Sequence, residues 1–581
     1  MLHPSATLKQ YGDYSKEFKL DQDVSRRNLA KLVISAGLPF DIVEQPEFFN
    51  FVKSLQPSFQ FVGKEIVRRD CVILYEEERN KIHNMLKNLN SRVSFTFDMW
   101  VSEQDVGYMA LYAQFIDCDF VLRKKILNFR RIAYPHASND EIAKCIGEWE
   151  LDEKVFALVL DDSTTNDILV TRLKENLGGK LLASGNYLHI ISCANFLNSV
   201  VEDGLKVLHL AVEHIRNIVK HVISTPSCMQ AFNECAQQFR IDTDKGLFLD
   251  VSTEWNTTYD LLESALYYKE ALIRYALIFH HCTDAPTHDD WEKTEAIMKF
   301  LKPFVNAINV LSRANFPTAN LYFREIWTIR QLLQDEIFNC DEVVRNLTLE
   351  MQTKFKKYWN ECNMILAIAS ILDPRFKFLF VQYCYESAFD EEHAKVKVKE
   401  IRDCLYKLYN DYEKALKVVE QSMPSESSRQ VVSALSESPS TLTGKRKLES
   451  EFATYLSQNL LKRAKRNEMD AYLEDDVLPT MDDEDFSILI WWEKSADVYP
   501  VLSMMARDIL AIPVSSVTSK SAFRAWRKLI DQYSKFVDSS MVETLICSQE
   551  WLHADYHPDV CPDFHASSVV DEELFDSCLP E

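Results

Sequence analysis

The chain has 581 residues, 47% of them hydrophobic and 26% charged, which is ordinary for soluble globular proteins and too long for one compact core. No apolar run approaches the roughly 18–20 residues of a membrane span, and the first residues lack the apolar core of a signal peptide. The net charge of −23 repels phosphate, so nucleic-acid binding would need a local basic patch. We expect a cytosolic or nuclear protein of roughly two to four domains, or one domain with a large insertion.

The 14 cysteines are scattered and form no Cys-x-x-Cys pair, which predicts buried thiols in a reducing compartment. The tightest cluster of potential metal ligands is Cys547, His553, His557 and Cys561. Because its spacing matches a zinc finger poorly, a helix end followed by a loop is favoured over a metal site.

Residues 1–90 have a mostly helical pattern. In residues 24–40 the apolar side chains of Leu29, Leu32, Val33 and Ala36 share one helical face. Pro39 is expected to end this helix. EQPEFFNFVKSL (44–55) predicts a second, short amphipathic helix.

Near residue 92 the spacing of the apolar residues changes from a helical pattern to the alternation typical of strands. RVSFTFDMW (92–100), GYMALYAQFID (107–117) and DFVLRKKILNFRRI (119–132) alternate, with a turn at residues 117–119. VFALVLDD (155–162) and YLHIISC (187–193) are apolar runs typical of strands covered on both faces. Helices are predicted at 138–150, with Ser138 and Glu141 as a capping box, and at 164–178, ended by Gly178. The order β-β-β-α-β-α-β over residues 91–200 predicts a mixed sheet that starts as a meander.

Residues 201–420 are helical in pattern almost throughout. Residues 421–468 are basic and rich in Ser, with a Ser/Pro-rich part at 422–446, and are predicted to form a flexible linker. It contains KRK (445–447) and KRAKR (462–466), which fit either a bipartite nuclear-import signal or a solvated basic helix face. Residues 469–581 return to helices rich in Trp, Leu, Ile and Met, as in a buried core or a subunit interface.

Two aspartates at strand ends are candidates for metal chemistry. Asp98 lies near the end of the first strand, and Asp161 ends the fourth. Neighbouring strands would bring the two carboxylates together, and paired carboxylates can hold the two Mg²⁺ ions of phosphoryl transfer. Binding two Mg²⁺ ions normally needs a third carboxylate. From these two residues alone, the favoured interpretation is therefore that they are ordinary polar residues where a strand meets a loop.

Several blocks resemble those of the hAT-superfamily transposases, most of all the plant RICESLEEPER/DAYSLEEPER group. TFDMW (96–100) and VLDDSTTND (159–167) are similar to the strands that carry the first two catalytic acids of that family. Further blocks follow in the family's order: SRRNLAKLVISAGLPFDIVE (25–44), DVSTEWNTTYDLL (250–262), PTANLYF (317–323), ILDPRFK (371–377), WWEKSADVYPVLSMMARDILAIPVSSV (491–517) and LICSQEWL (545–552). The resemblance covers nearly the whole chain. It implies an RNase H-like mixed sheet interrupted by a large all-helical insertion, with C-terminal dimerisation helices.

The resemblance also implies DNA cleavage and strand transfer by two Asp and one Glu with metal ions, and here the chain departs from the family. The family's third acid lies in a stretch like Ser-Glu-x-x-Phe-Ser, where this chain has SKSAFR (519–524). Lys520 takes the glutamate's place, and no Glu occurs between Glu493 and Glu543. An ammonium there would compete with Mg²⁺ for Asp98 and Asp161. We therefore expect no enzymatic activity, no cofactor and no bound Mg²⁺.

Other family positions differ as well. The histidine of the family's Cys-x-x-His is Phe196, and the arginine before Trp255 is Glu254. The family usually begins with a BED-type zinc finger, and this chain starts with the transposase body. Either a truncated relative or an incomplete gene model would explain that start.

The leading interpretation is a domesticated, catalytically inactive hAT-like protein that forms a homodimer and acts in the nucleus on DNA. Its predicted DNA-binding residues are Trp255, Lys462, Arg463, Lys465 and Arg466. Its predicted dimerisation residues are Trp491, Trp492, Tyr499, Leu502, Phe523, Leu545 and Trp551. For the aromatic side chains among them, a place in the core is favoured over one in an interface. The alternatives are an acidic interaction scaffold that does not bind DNA, and an active transposase that uses another acid. Neither a membrane nor a small-molecule substrate is expected.

Overall fold

The structure is a computed structural model. It describes residues 20–101, 106–132, 139–160, 164–243, 245–250, 255–279, 285–313, 316–360, 364–422, 467–479, 486–515 and 538–556. Within these ranges no helix is both long and apolar enough to cross a membrane.

The described part of the chain starts with three α-helices, α1 (Gln22–Ala36), α2 (Pro46–Leu55) and α3 (Lys64–Lys87). The Asp21 side chain caps α1 by accepting hydrogen bonds from the amides of Asp23 and Val24. Gly37 ends the helix in the left-handed region at φ 61°. The sequence analysis assigned this end to Pro39, which is wrong, because a glycine adopts the left-handed turn at little cost and ends the helix two residues earlier.

Five strands form one mixed sheet in the order β3-β2-β1-β4-β5. They are β1 (Val93–Val101), β2 (Gly107–Ile116), β3 (Leu122–Ile132), β4 (Val155–Leu160) and β5 (His189–Ile191), with α4 (Asn139–Glu148) before β4 and α5 (Thr164–Leu177) before β5. The first three strands pair antiparallel, and β4 runs parallel to both β1 and β5. This confirms the predicted element order, the meander and the mixed sheet.

The last strand is shorter than the sequence analysis expected. β5 stops at Ile191 because Ser192 already caps the next helix, accepting a hydrogen bond from the amide of Asn195. A serine at this position satisfies one of the free amides of the first helical turn.

A long helical region follows the sheet, as predicted. Its helices are α6 (Cys193–Lys206), α7 (His209–Ile223), α8 (Pro226–Gln238), α9 (Trp255–Tyr267), α10 (Lys269–Ile278), α11 (His288–Leu311), α12 (Ala319–Asp335), α13 (Glu342–Asn360), α14 (Met364–Ile371), α15 (Lys377–Ala388) and α16 (Glu391–Ser422). The C-terminal helices are α17 (Glu468–Glu474), α18 (Ile488–Ser495), α19 (Pro500–Leu510) and α20 (Ser539–Tyr556).

The sheet is covered on both faces, and the C-terminal helices contribute to both sides. Phe156 and Val159 of β4 belong to the large cluster formed with the helical region and α19. Leu158 and Leu160 face the opposite cluster, built with α3, α4, α5 and α20. A third cluster joins α1 and α3 to α20. The domain boundaries at residues 90, 200, 420 and 468 stay predictions.

Candidate functional site at the carboxyl edge of the sheet

β1, which contains Asp98, and β4, which ends at Leu160 just before Asp161 in the sequence, are adjacent parallel strands. β1 and β4 pair with Thr96 opposite Val159, and these two residues stand two positions before Asp98 and Asp161 in the sequence. Asp98 itself is part of β1, paired with Ala110 of β2. Asp161 lies outside the described residues. The strands that carry both aspartates are thus neighbours with their carboxyl ends at the same edge of the sheet.

The C-terminal part of the chain meets the sheet at this same edge. The amide of Ser192 donates to the carbonyl of Leu160 at 2.6 Å, and the next amide, Cys193, donates to the carbonyl of Val514 at 2.9 Å. Ser515 lies five residues before Lys520. Lys520 itself lies outside the described residues.

Buried contacts hold this C-terminal segment in place. The Asp508 carboxylate accepts hydrogen bonds from the amide of Arg92 at 2.7 Å and from the hydroxyl of Tyr412 at 2.6 Å. Gln114 of β2 donates to the carbonyl of Ala511 at 3.2 Å. Burial raises the pKa of Asp508. Both oxygens of this carboxylate are engaged, and they join α19 to α16 and to Arg92, the residue just before β1.

Glu543, the next glutamate after Glu493, is bound to β3. Its Oε1 accepts from Asn128 Nδ2 at 3.2 Å and from the amide of Phe129 at 3.4 Å. Across the sheet, Asp98 of β1 pairs with Ala110 of β2, which pairs in turn with Phe129 of β3. The Cα atoms of Asp98 and Phe129 are therefore about 10 Å apart. Glu543 is therefore held at β3, two strands away from the strand that contains Asp98.

The family's histidine position has become part of an aromatic stack. The Phe196 ring lies parallel to that of Tyr358 on α13, with ring centroids 4.0 Å apart and an interplanar angle of 4°. This contact fastens α6 to the helical region at the place where the resemblance implies an imidazole.

Trp255 lies at the start of α9, partly buried against the large cluster. Asp250 is the last described residue before Trp255, and its carboxylate accepts two hydrogen bonds from Arg216, both at 2.7 Å, and a third from Thr258 at 2.8 Å. These bonds lower the pKa of Asp250 although burial opposes them. The sequence analysis did not identify the Arg216–Asp250 pair, because neither residue stands out by spacing.

Most of the residues predicted to form a dimer interface lie in the interior of one chain. Trp492 and Leu502 are 0% exposed. Tyr499, Leu545 and Trp551 are also buried, and Trp491 is partly buried. The indole nitrogen of Trp492 donates to the carbonyl of Leu372 at 3.0 Å. In this conformation a second chain cannot reach the Trp492 ring without displacing that packing, and an interface role for these side chains stays a prediction.

Several predicted site residues fall outside the described residues. They are Lys520, Phe523, Lys462, Arg463, Lys465 and Arg466, together with His557 and Cys561 of the Cys/His cluster. In that cluster Cys547 is fully buried on α20. Across the part of the chain that the structure describes, no group of three or more His, Cys, Asp or Glu side chains is arranged to hold a metal ion.

A mixed five-stranded sheet that starts as an antiparallel meander and continues with parallel strands, followed by a long helical region, defines an RNase H-like protein whose sheet is interrupted by a helical insertion. Family models agree along the chain: a ZBED1 RNase-like domain matches residues 96–187, a ZBED1 RNase-like helical domain 190–300, the hAT-like transposase RNase-H fold 320–412, and the hAT family C-terminal dimerisation region 468–552.

Similar proteins come from plants. Zinc finger BED domain-containing protein RICESLEEPER 1 of Oryza sativa subsp. japonica is 34% identical over 94% of this chain and 77% of its own length. The putative AC transposase of Zea mays is 34% identical over 98% of this chain and 71% of its own. DAYSLEEPER of Arabidopsis thaliana is 31% identical over 94% and 76%. The chain therefore belongs to the family of hAT transposase-like proteins, and the suspected resemblance is confirmed.

Proposed function

We propose that this protein is a catalytically inactive hAT transposase derivative that dimerises through its C-terminal region and acts on DNA in the nucleus. The observation that carries the proposal is the chain of hydrogen bonds from Leu160 through Ser192 and Cys193 to Val514. It brings the segment that leads to Lys520 to the edge where the strands of Asp98 and Asp161 end. A lysine near two aspartates favours an ion-pair cluster over a pair of metal ions.

Inactivity is tested with purified protein, Mg²⁺ or Mn²⁺, and supercoiled and linear DNA. We expect no metal-dependent nicking. Lys520→Glu restores a carboxylate, and we expect it to raise Mn²⁺ affinity at least tenfold, measured by water-proton relaxation. Lys520→Gln, which removes the charge without adding a ligand, is the matched control. Nicking by the unmodified chain that disappears in Asp98→Asn would overturn the proposal.

Membership of the hAT transposase-like family supports DNA binding. The net charge of −23 opposes it, because an acidic chain repels the phosphate backbone. We expect salt-dependent retention of random duplex DNA, reduced when Lys462, Arg463, Lys465 and Arg466 are all changed to Ala. The same variant tagged with a fluorescent protein should lose nuclear accumulation. Protein that stays nuclear but shows no salt-dependent DNA retention would favour the acidic scaffold instead.

Dimerisation is supported by the match of residues 468–552 to the hAT dimerisation region. Ile490 and Val498, at 50% and 54% exposed, are apolar side chains of that region that a partner could reach. We expect a dimer by light scattering at micromolar concentration, weakened in Ile490→Asp with Val498→Asp. Trp492→Ala should instead lower stability, because its ring is internal. A monomeric unmodified chain would contradict the dimer.

A further inference from the structure

The short helix α2 exposes an unusually large part of its apolar side chains. None of its ten residues is buried. Phe51 is 60% exposed, Leu55 69% and Phe49 41%. Phe51 and Leu55 are four positions apart and therefore share one face of the helix.

The opposite side of α2 holds the helix firmly in place. Phe48 and Val52 pack against the N-terminal cluster. Phe49 stacks on Phe61 of the following loop, with ring centroids 4.1 Å apart. The exposed face is therefore presented in a fixed position.

The N-terminal part of the chain leaves the described residues beside α2. Gln22 Nε2 donates to the carbonyl of Gln60 at 2.7 Å, and the amide of Gln60 donates back to Gln22 Oε1 at 3.1 Å. Gln60 adjoins Phe61, the residue on which Phe49 stacks. Leu20, the first described residue, packs against the same N-terminal cluster.

The residues before Leu20 have a sequence that suits this surface. Leu8, Tyr11, Tyr14 and Phe18 follow one another at spacings of 3, 3 and 4, a pattern typical of a helix with one apolar face. We propose that residues 8–18 of this chain dock on the face of α2 formed by Phe51 and Leu55.

Length and charge are compatible with this docking. As a helix, residues 8–18 would be about 16 Å long, and the ten residues of α2 extend about 15 Å. Lys53 lies on α2 with its ammonium 5.4 Å from the centroid of the Phe49 ring. The docking segment carries Asp13 and Glu17 together with Lys9 and Lys16, so its charges balance and it brings no net repulsion to this surface. The surface is separate from the sheet edge, so the inference does not depend on catalysis, DNA binding or the C-terminal dimer.

A photo-crosslink identifies the occupant directly. The full chain with p-benzoylphenylalanine at position 51 is irradiated and digested with trypsin. We expect an intramolecular link to a peptide from residues 1–19. The same label at Phe338, which is 82% exposed and lies in the helical region, is the matched control and should give no such link. Links to a second copy, or to any other segment of this chain, would overturn the proposal.

Hydrogen exchange supplies an independent measurement. In the unmodified chain we expect amides of residues 8–18 to exchange at least tenfold more slowly than unstructured peptide. Phe51→Glu with Leu55→Glu should abolish that protection, whereas Phe338→Glu should leave it unchanged. In turn, Leu8→Ser with Tyr11→Ser should speed exchange in α2. Exchange of residues 8–18 at unprotected rates in the unmodified chain would refute the docking.

Discussion

Trp551 donates its indole N–H to the carbonyl of Ile126 at 2.9 Å. Ile126 belongs to β3, an outer strand of the sheet, whose outward carbonyls and amides lack a neighbouring strand. Glu543 of the same helix accepts from the amide of Phe129 at 3.4 Å. α20 thus uses side chains where a sixth strand would use its backbone, and it covers a sheet edge that could otherwise pair with another chain.

Replacing Trp551 with Phe tests this capping. The ring is kept, but the buried Ile126 carbonyl loses its donor, which should cost about 1–3 kcal/mol of unfolding free energy. Urea unfolding followed by circular dichroism measures it. Trp491→Phe is the control: within the described contacts its indole nitrogen makes no hydrogen bond, so the loss should be smaller. Equal losses for the two variants would argue against the capping bond.

Glu550 should make the docking of α20 depend on pH. Burial raises the pKa of Glu550 to about 7, although Lys124 and Lys125 of β3 and a hydrogen bond with the Ile126 backbone oppose the shift. Because the folded pKa lies above the unfolded one, its stabilising contribution is complete in acid and is lost as pH rises through about 7. Glu550→Gln should be more stable than the unmodified chain at pH 8 by about 1–3 kcal/mol and similar to it at pH 5. Glu392→Gln, an exposed change on α16, should show no such difference.

The pair formed by Asp508 and Tyr412 should be thermodynamically coupled. Asp508→Ala leaves the Arg92 amide and the Tyr412 hydroxyl without their acceptor, at a cost of about 3 kcal/mol. Tyr412→Phe removes one bond and should cost about 1 kcal/mol. The double variant should lose less than the sum, by about 1 kcal/mol, in urea unfolding. If the losses of unfolding free energy in the two single variants add up to that of the double variant, a direct bond is contradicted. Asp497→Ala, at an exposed site, is the control for the loss of an aspartate.

Lys377 should hold α17 against the helical region. This lysine is 3% exposed, and its ammonium donates to the carbonyls of Tyr472 at 2.8 Å and Asp475 at 2.7 Å. Burial lowers its pKa. Lys377→Met should leave both carbonyls underbonded and cost about 2 kcal/mol, seen as faster hydrogen exchange in residues 468–474. Lys395→Met, at an exposed position of α16, should leave that exchange unchanged.

The strands could be predicted from the local sequence pattern. Alternation of apolar and polar residues indicates a strand that is buried on one face, and an apolar run indicates one that is buried on both. The antiparallel meander and the adjacency of the first and fourth strands were predicted from this pattern, whereas the full strand order was not. The partners of α20 could not be predicted, because periodicity describes the face of a helix and not what it meets 425 residues away.

Sequence also could not separate core from interface in the C-terminal aromatics. Both environments exclude water and favour Trp and Tyr, so Trp492 and Tyr499 looked the same in either role. The structure separates them by burial and by the hydrogen bond from Trp492 to Leu372.

The bond between the Asp508 carboxylate and the Arg92 amide also bears on how the protein is made. A ribosome adding about 5–20 residues per second would expose β1 some 20–80 s before Asp508 emerges. Throughout that interval the nascent sheet would lack α19, which covers part of one face, and α20, which covers its outer strand. Early termination, or a frameshift in the last fifth of the reading frame, would therefore release a chain whose strands are uncovered and prone to aggregate. Such products are the ones that chaperones and proteases would be expected to remove first.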